Sequence, residues 1–67
     1  MRIGSRIVKL RQAKHLTQKE LAKGADISLS YLKRIESGNC SRPHLKTLAR
    51  IAKCLGVDLP TIFQEED

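Results

Sequence analysis

Apolar residues recur every three to four positions along the chain, and no stretch alternates for long enough to suggest a strand. Ile3, Ile7 and Leu10 form the first stripe and predict a helix over roughly residues 2–14. Leu16 then precedes Thr17-Gln18-Lys19-Glu20, the spacing of a capping box in which the Thr17 hydroxyl accepts from the Glu20 amide while the Glu20 carboxylate reaches back. Leu16 and Leu21 are placed to form the accompanying hydrophobic staple. A second, short helix therefore starts at Thr17, and Gly24-Ala25-Asp26 ends it. Ser28 can cap a third helix, Ser28–Ser37, that carries Leu29, Leu32 and Ile35 and stops at Ser37-Gly38-Asn39. After the loop Asn39-Cys40-Ser41-Arg42-Pro43, whose proline suits a helix start, Leu45, Leu48, Ile51, Ala52 and Leu55 define a fourth helix closed by Gly56. A last turn from Leu59 to Phe63 offers Ile62 and Phe63 to the core or to a partner. The expected fold is all-α: a compact five-helix bundle over residues 1–63, followed by an acidic tail at 64–67.

Size narrows the function. Sixty-seven residues with 40% hydrophobic content make one small helical domain, with no room for a large enzyme's deep pocket or a separate sensor domain. Below about 70–80 residues a single core supplies only about 3–5 kcal/mol, so a dimer partner or bound ligand would add stability. The N-terminus has no continuous apolar segment of a secretory signal, and no uncharged run approaches the roughly 20 residues of a membrane span. Cys40 and Cys54 are too few for a disulfide framework and fit a reduced, cytoplasmic protein.

Charge is distributed unevenly. Residues 1–53 hold all thirteen Lys and Arg against three carboxylates (Glu20, Asp26, Glu36), a charge of +10; residues 54–67 hold four carboxylates and no cation, a charge of −4. The net +6 points to a polyanion, nucleic acid before membrane. The acidic end reads as a solvated tail, also kept away from a polyanion bound elsewhere.

Helical register sharpens this. With residues about 100° apart, Leu29, Leu32, Ile35 and Glu36 share one arc of the third helix, while Ser30, Lys33, Arg34 and Ser37 occupy the other. Two short helices joined by a tight turn are the skeleton of a helix-turn-helix, whose second helix reads the major groove. On that outer face an Arg can bridge O6 and N7 of guanine and a Ser can donate or accept at several bases. Gln18 can pair with phosphate from the start of the second helix, and Asn39 and Arg42 are positioned as phosphate clamps. Tyr31 either donates to a phosphate or covers the joint between helices with its ring. Glu36 lies on the inward arc, where a carboxylate needs a partner; Arg11, one turn beyond Ile7 on the first helix, is the natural one.

Leu16-Thr17-Gln18-Lys19-Glu20-Leu21-Ala22, Ile27-Ser28-Leu29-Ser30-Tyr31-Leu32, Ile35-Glu36-Ser37-Gly38 and Leu48-Ala49-Arg50-Ile51-Ala52 together resemble the phage-repressor/Cro (XRE) helix-turn-helix family. The resemblance covers nearly the whole chain. It implies a lambda-repressor-like DNA-binding domain acting as a homodimer on a palindromic operator, with its third helix in the major groove of double-stranded DNA. By position, Gln18, Ser28, Leu29, Ser30, Lys33, Arg34 and Arg42 match the family's DNA-contacting places, and Arg11 and Glu36 its bridging pair. Val57, Leu59, Ile62 and Phe63 are the candidates for the dimer surface. Two positions depart from the pattern. Asp26 stands in the turn where the family often has Gly, and Asp tolerates the left-handed conformation needed there. Leu29 stands where many relatives carry a polar base reader; it either touches a thymine methyl or packs under the helix.

Other chemistries are set aside. Cys40, His44, Cys54 and His15 are zinc ligands by type but lack the paired-cysteine spacing of structural sites, so no metal or cofactor is expected. Cys54 reads as a small core residue, and Cys40 as an inert loop thiol or a redox sensor. No nucleophile–base grouping or phosphate-binding glycine loop appears, so no enzyme activity and no small-molecule substrate are expected. The basic first helix (Arg2, Arg6, Lys9, Lys14) lacks the bulky aromatics of a membrane-surface helix. The rival function is an antitoxin or other protein-interaction module with autoregulatory DNA binding; a chain ending just past its fifth helix leaves little to grip a toxin. RNA binding would call for exposed aromatics to stack bases, and the chain has one Tyr and one Phe.

Overall fold

In the computed structural model, which describes residues 3–40 and 42–64, five helices follow one another: α1 (Ile3–Ala13), α2 (Gln18–Gly24), α3 (Leu29–Ser37), α4 (Leu45–Leu55) and α5 (Leu59–Phe63). The expected start of the first helix at Arg2 and the acidic residues of the tail lie outside the described residues.

Local chemistry sets the helix boundaries. At α2 the capping box is complete: Glu20 N–H donates to Thr17 Oγ1 at 3.0 Å, and Thr17 N–H donates to Glu20 Oε1 at 2.9 Å. The Thr17 backbone bond, with help from the Thr17 side chain, holds the Glu20 carboxyl below its ordinary value of 4.5. A lowered folded-state pKa means that this contribution is full above the ordinary value and is lost as pH falls through the lower one. The difference in urea midpoint between the native chain and Glu20→Ala is therefore expected to shrink as pH falls below that ordinary value of 4.5, as urea titrations at several pH values would show.

The ends of α1, α2 and α4 share one device. Leu16 N–H reaches Arg11 O and His15 N–H reaches Gln12 O at the end of α1. Ile27 to Ala22 and Asp26 to Lys23 repeat this after α2, and Val57 to Ala52 and Gly56 to Lys53 after α4. These are Schellman closures, which require a left-handed residue just past the helix. That residue is glycine only at Gly56 (φ 72°); Asp26 (φ 58°) and His15 (φ 57°) fill the place elsewhere. Asp26 thus adopts the conformation expected of it, and the α2–α3 turn keeps its shape without glycine.

Ile7, Leu21, Leu32, Ile35, Ile51, Leu55 and Ile62 are fully enclosed, so every helix contributes to one core. The principal packing runs in a closed circuit: α1 on α3, α3 on α2, α2 on α4, α4 on α5 and α5 back on α1. Arg6 Nε donates to Thr61 O at 3.1 Å across the last junction. Two glycines allow close approaches, Gly4 to backbone and Gly24 to a side chain. A Cβ on Gly4 would run into the carbonyl oxygens of Ile35 and Glu36, and one on Gly24 would meet Cys54 Sγ. Cys54 is half-buried against the core, so it fills the space that Gly24 leaves.

Two expectations about apolar residues are corrected. Leu45, one of the apolar residues that define the fourth helix, is 62% exposed; Leu29, which shares the inward arc by register and was also offered as a base contact, is 37% exposed. Both stand first in their helices, and side chains lean toward a helix's N-terminus, so these two project past the edge of the core. Ile62, offered as a dimer contact, is 0% exposed; it belongs to the domain's own core and has no surface left for a partner.

Candidate nucleic-acid interface

The outer face of α3 is positioned from both of its ends. Tyr31 N–H donates to Ser28 Oγ at 3.0 Å and closes the first turn. At the far end, Gly38 in the left-handed region stops the helix, and Cys40 N–H returns to Arg34 O at 3.0 Å, folding the loop back over the helix end. Leu32 and Ile35 anchor the inner side.

A polar network then locks α3 to the two helices before it. Arg11 grips Glu36 with its fork, Nε to Oε2 at 2.9 Å and Nη2 to Oε1 at 3.1 Å. The third guanidinium nitrogen, Nη1, donates to Leu16 O at 2.9 Å in the connection between α1 and α2. Gln18 Nε2 donates to Glu36 Oε1 at 2.9 Å from the first residue of α2. The Glu36 side chain is 4% exposed and that of Arg11 13%, so water screens the pair weakly. Both carboxylate oxygens are occupied, and among the described residues no buried side-chain nitrogen or oxygen lacks a partner. One carboxylate thus joins α1, α2 and α3.

Gln18's place in this network is the feature that sequence reasoning missed. The available signal was arithmetic: an ionised carboxylate can accept about four hydrogen bonds, and an arginine fork fills two. A buried glutamate opposite one arginine therefore has capacity for a further donor, and Gln18 was the nearest amide on the neighbouring helix. One of its two amide hydrogens is committed to Glu36, which fixes how the rest of the group is presented.

With α3 held in this way, Ser28, Leu29, Ser30, Lys33 and Arg34 are exposed along it, and Asn39 and Arg42 are exposed in the loop that follows. Among the described residues of α3 no carboxylate shares this face, because the helix's one acid, Glu36, is turned inward. Two hydroxyls are partly spent within the helix: Ser28 caps it, and Ser37 Oγ donates to Arg34 O at 3.2 Å. Tyr31 is half-buried and packs against the core. Val57, Leu59 and Phe63 are half-buried at the α4–α5 end, partly open to solvent around the enclosed Ile62. Cys40 is packed against the core from the loop. Among the described residues no three His, Cys, Asp or Glu side chains gather in a metal-binding group, and no helix is long and apolar enough to cross a membrane.

A helix-turn-helix family model matches residues 7–62. The chain is 41% identical over 66 residues to the immunity repressor protein of Bacillus phage phi105, which covers 98% of this chain and 45% of that one. It is 34% identical over 65 residues to the HTH-type transcriptional regulator SinR of Bacillus licheniformis, covering 97% of this chain and 59% of the relative. The chain therefore spans about half the length of these relatives. In structure it is similar to a crystal structure of SinR, the master regulator for biofilm formation, in complex with DNA: the TM-score is 0.89 at 32% identity, over 92% of this chain and 98% of that one. The capping box, the four-residue turn through Asp26, the α3 that follows it and the family match together make this chain a member of the phage-repressor/Cro (XRE) helix-turn-helix family.

Proposed function

We propose that the chain is a sequence-specific transcriptional repressor that binds operator DNA as a homodimer with α3 in the major groove. The observation that carries this is the outer face of α3, where exposed Ser30, Lys33 and Arg34 stand together without a carboxylate. A solvated helix face ordinarily mixes signs; one cleared of anions suits a surface laid against phosphates and guanine edges. The likeness to phage phi105's immunity repressor and to SinR solved with DNA supports the same reading.

In this mechanism Gln18, Asn39 and Arg42 hold the DNA backbone and set register, while Ser30, Lys33 and Arg34 select bases. The amide of Gln18, steadied by Glu36, keeps a second hydrogen for phosphate. The half-buried Val57, Leu59 and Phe63 supply the dimer contact, and two-fold symmetry then sets half-sites about one helical turn apart.

Paired substitutions test the division of labour. Arg34→Ala is expected to cost about 1–3 kcal/mol on the preferred duplex and to relax selection at one base position. Arg42→Ala is expected to weaken binding to all sequences alike and to reduce the slope of log affinity against log salt by about one. Both are read from fluorescence-anisotropy titrations on specific and random duplexes. Equal losses on the two duplexes for Arg34→Ala would contradict its role as a base reader.

A further inference from the structure

We propose that Leu29 reads a methyl group in the major groove, so that each half-site of the operator contains a thymine, or another 5-methylpyrimidine, opposite this side chain. This inference rests on the major-groove reading above and adds the chemical identity of one contact. Leu29 is the first residue of α3, directly after the Ser28 cap, and 37% exposed. Its neighbours on the inner arc, Leu32 and Ile35, are 0% and 1% exposed, so the core is complete without it. A side chain at the first helical position leans off the N-terminal end. That end of a recognition helix is the part that meets base edges.

The chemistry of the groove leaves one counterpart. Each base pair presents hydrogen-bond donors and acceptors on its major-groove edge, and the C5 methyl of thymine is the apolar feature among them. A leucine set against N7, O6 or an amino group would strip water from a polar atom and give nothing in return, which is unfavourable. Set against a methyl, it removes apolar surface of both partners from water. Neighbouring groups reinforce the selection. Ser28 Oγ accepts from Tyr31 N–H and keeps its own O–H to donate, so the exposed residues at the start of α3 set the apolar Leu29 between two hydroxyls, Ser28 and Ser30. Leu29 therefore acts by exclusion as much as by attraction: it disfavours guanine and adenine edges at its position.

The test uses a duplex enriched from a random pool by the native chain. Every thymine is replaced singly by deoxyuridine, which removes the methyl and keeps the pairing, and every cytosine singly by 5-methylcytosine. Affinities are measured for the native chain, Leu29→Ala and Leu29→Met, with thermal melts to establish that these exposed-site variants remain folded. One thymine per half-site is expected to lose about fourfold in affinity to the native chain on conversion to deoxyuridine, the equivalent of one buried methyl. That sensitivity is expected to vanish in Leu29→Ala and persist in Leu29→Met. Methyl sensitivity surviving in Leu29→Ala, or a tightly bound duplex in which no methyl matters, would overturn the assignment while leaving DNA recognition standing. Failure to enrich any duplex would overturn both.

Discussion

Glu36→Ala is expected to lower the free energy of unfolding by about 3 kcal/mol, the lower end of the range for breaking a buried ion pair, because Arg11 keeps 13% exposure. The loss exceeds the worth of the pair itself. It leaves the Arg11 guanidinium with its Leu16 carbonyl alone and the part-buried Gln18 amide without its acceptor. Against the about 3–5 kcal/mol that a core of this size supplies, the variant should sit at the edge of folding at room temperature. Urea denaturation followed by helical circular dichroism measures it. The double replacement Arg11→Met with Glu36→Leu is expected to regain most of the loss, since apolar side chains of similar volume remove both charges together. A single-mutant loss below about 1 kcal/mol would mean that the bridge behaves as an exposed surface pair.

Gly4→Ala is expected to cost about 3 kcal/mol, at the top of the usual range for overpacking. Alanine by itself would favour the helix by about 1 kcal/mol, so the added methyl must more than reverse that gain. It does so because its obstacle is backbone: the carbonyl oxygens of Ile35 and Glu36 form the last turns of α3 and cannot rotate aside. Relief comes only if α1 and α3 separate, which strains the Arg11–Glu36 bonds between the same helices. Gly24→Ala provides the comparison. Its obstacle is the Sγ of Cys54, a side chain that can turn, so the loss should be smaller and should be recovered by adding Cys54→Ala. Urea midpoints for the three variants would show this order; equal losses at Gly4 and Gly24 would contradict it.

The helices and their caps were readable from the chain because each is written locally. Thr17 with Glu20, Ser28 before Leu29 and Gly56 after Leu55 need only their immediate neighbours, and the structure uses all three. The Arg11–Glu36 bridge was readable for a different reason: a carboxylate on an inward arc demands a cation, and Arg11 stands one turn beyond Ile7 on the core-facing side of the first helix. What escaped the sequence depends on where helices end and how closely they approach. Register analysis treats a helix as endless, so Leu29 and Leu45 fall on inner arcs although each leans off the end of its helix. Gly4 carries no local signal, since its role appears only when α3 crosses α1 at van der Waals range. His15 in a left-handed turn is similarly invisible until the Schellman bonds to Arg11 and Gln12 are seen. At the interface the outward Ser30, Lys33 and Arg34 were legible, while the commitment of Gln18 to Glu36 was not. That bond depends on the angle at which α2 meets α3.

The central claim is that α3 reads base sequence in duplex DNA. Its most direct test is binding-site selection from random duplexes with the native chain, carried out at two salt concentrations. The expected result is enrichment of one two-fold-symmetric motif with half-sites about one helical turn apart, in which affinity falls with salt but preference for the motif over random duplex persists. Binding that rises at low salt without enriching any motif at either concentration would contradict it.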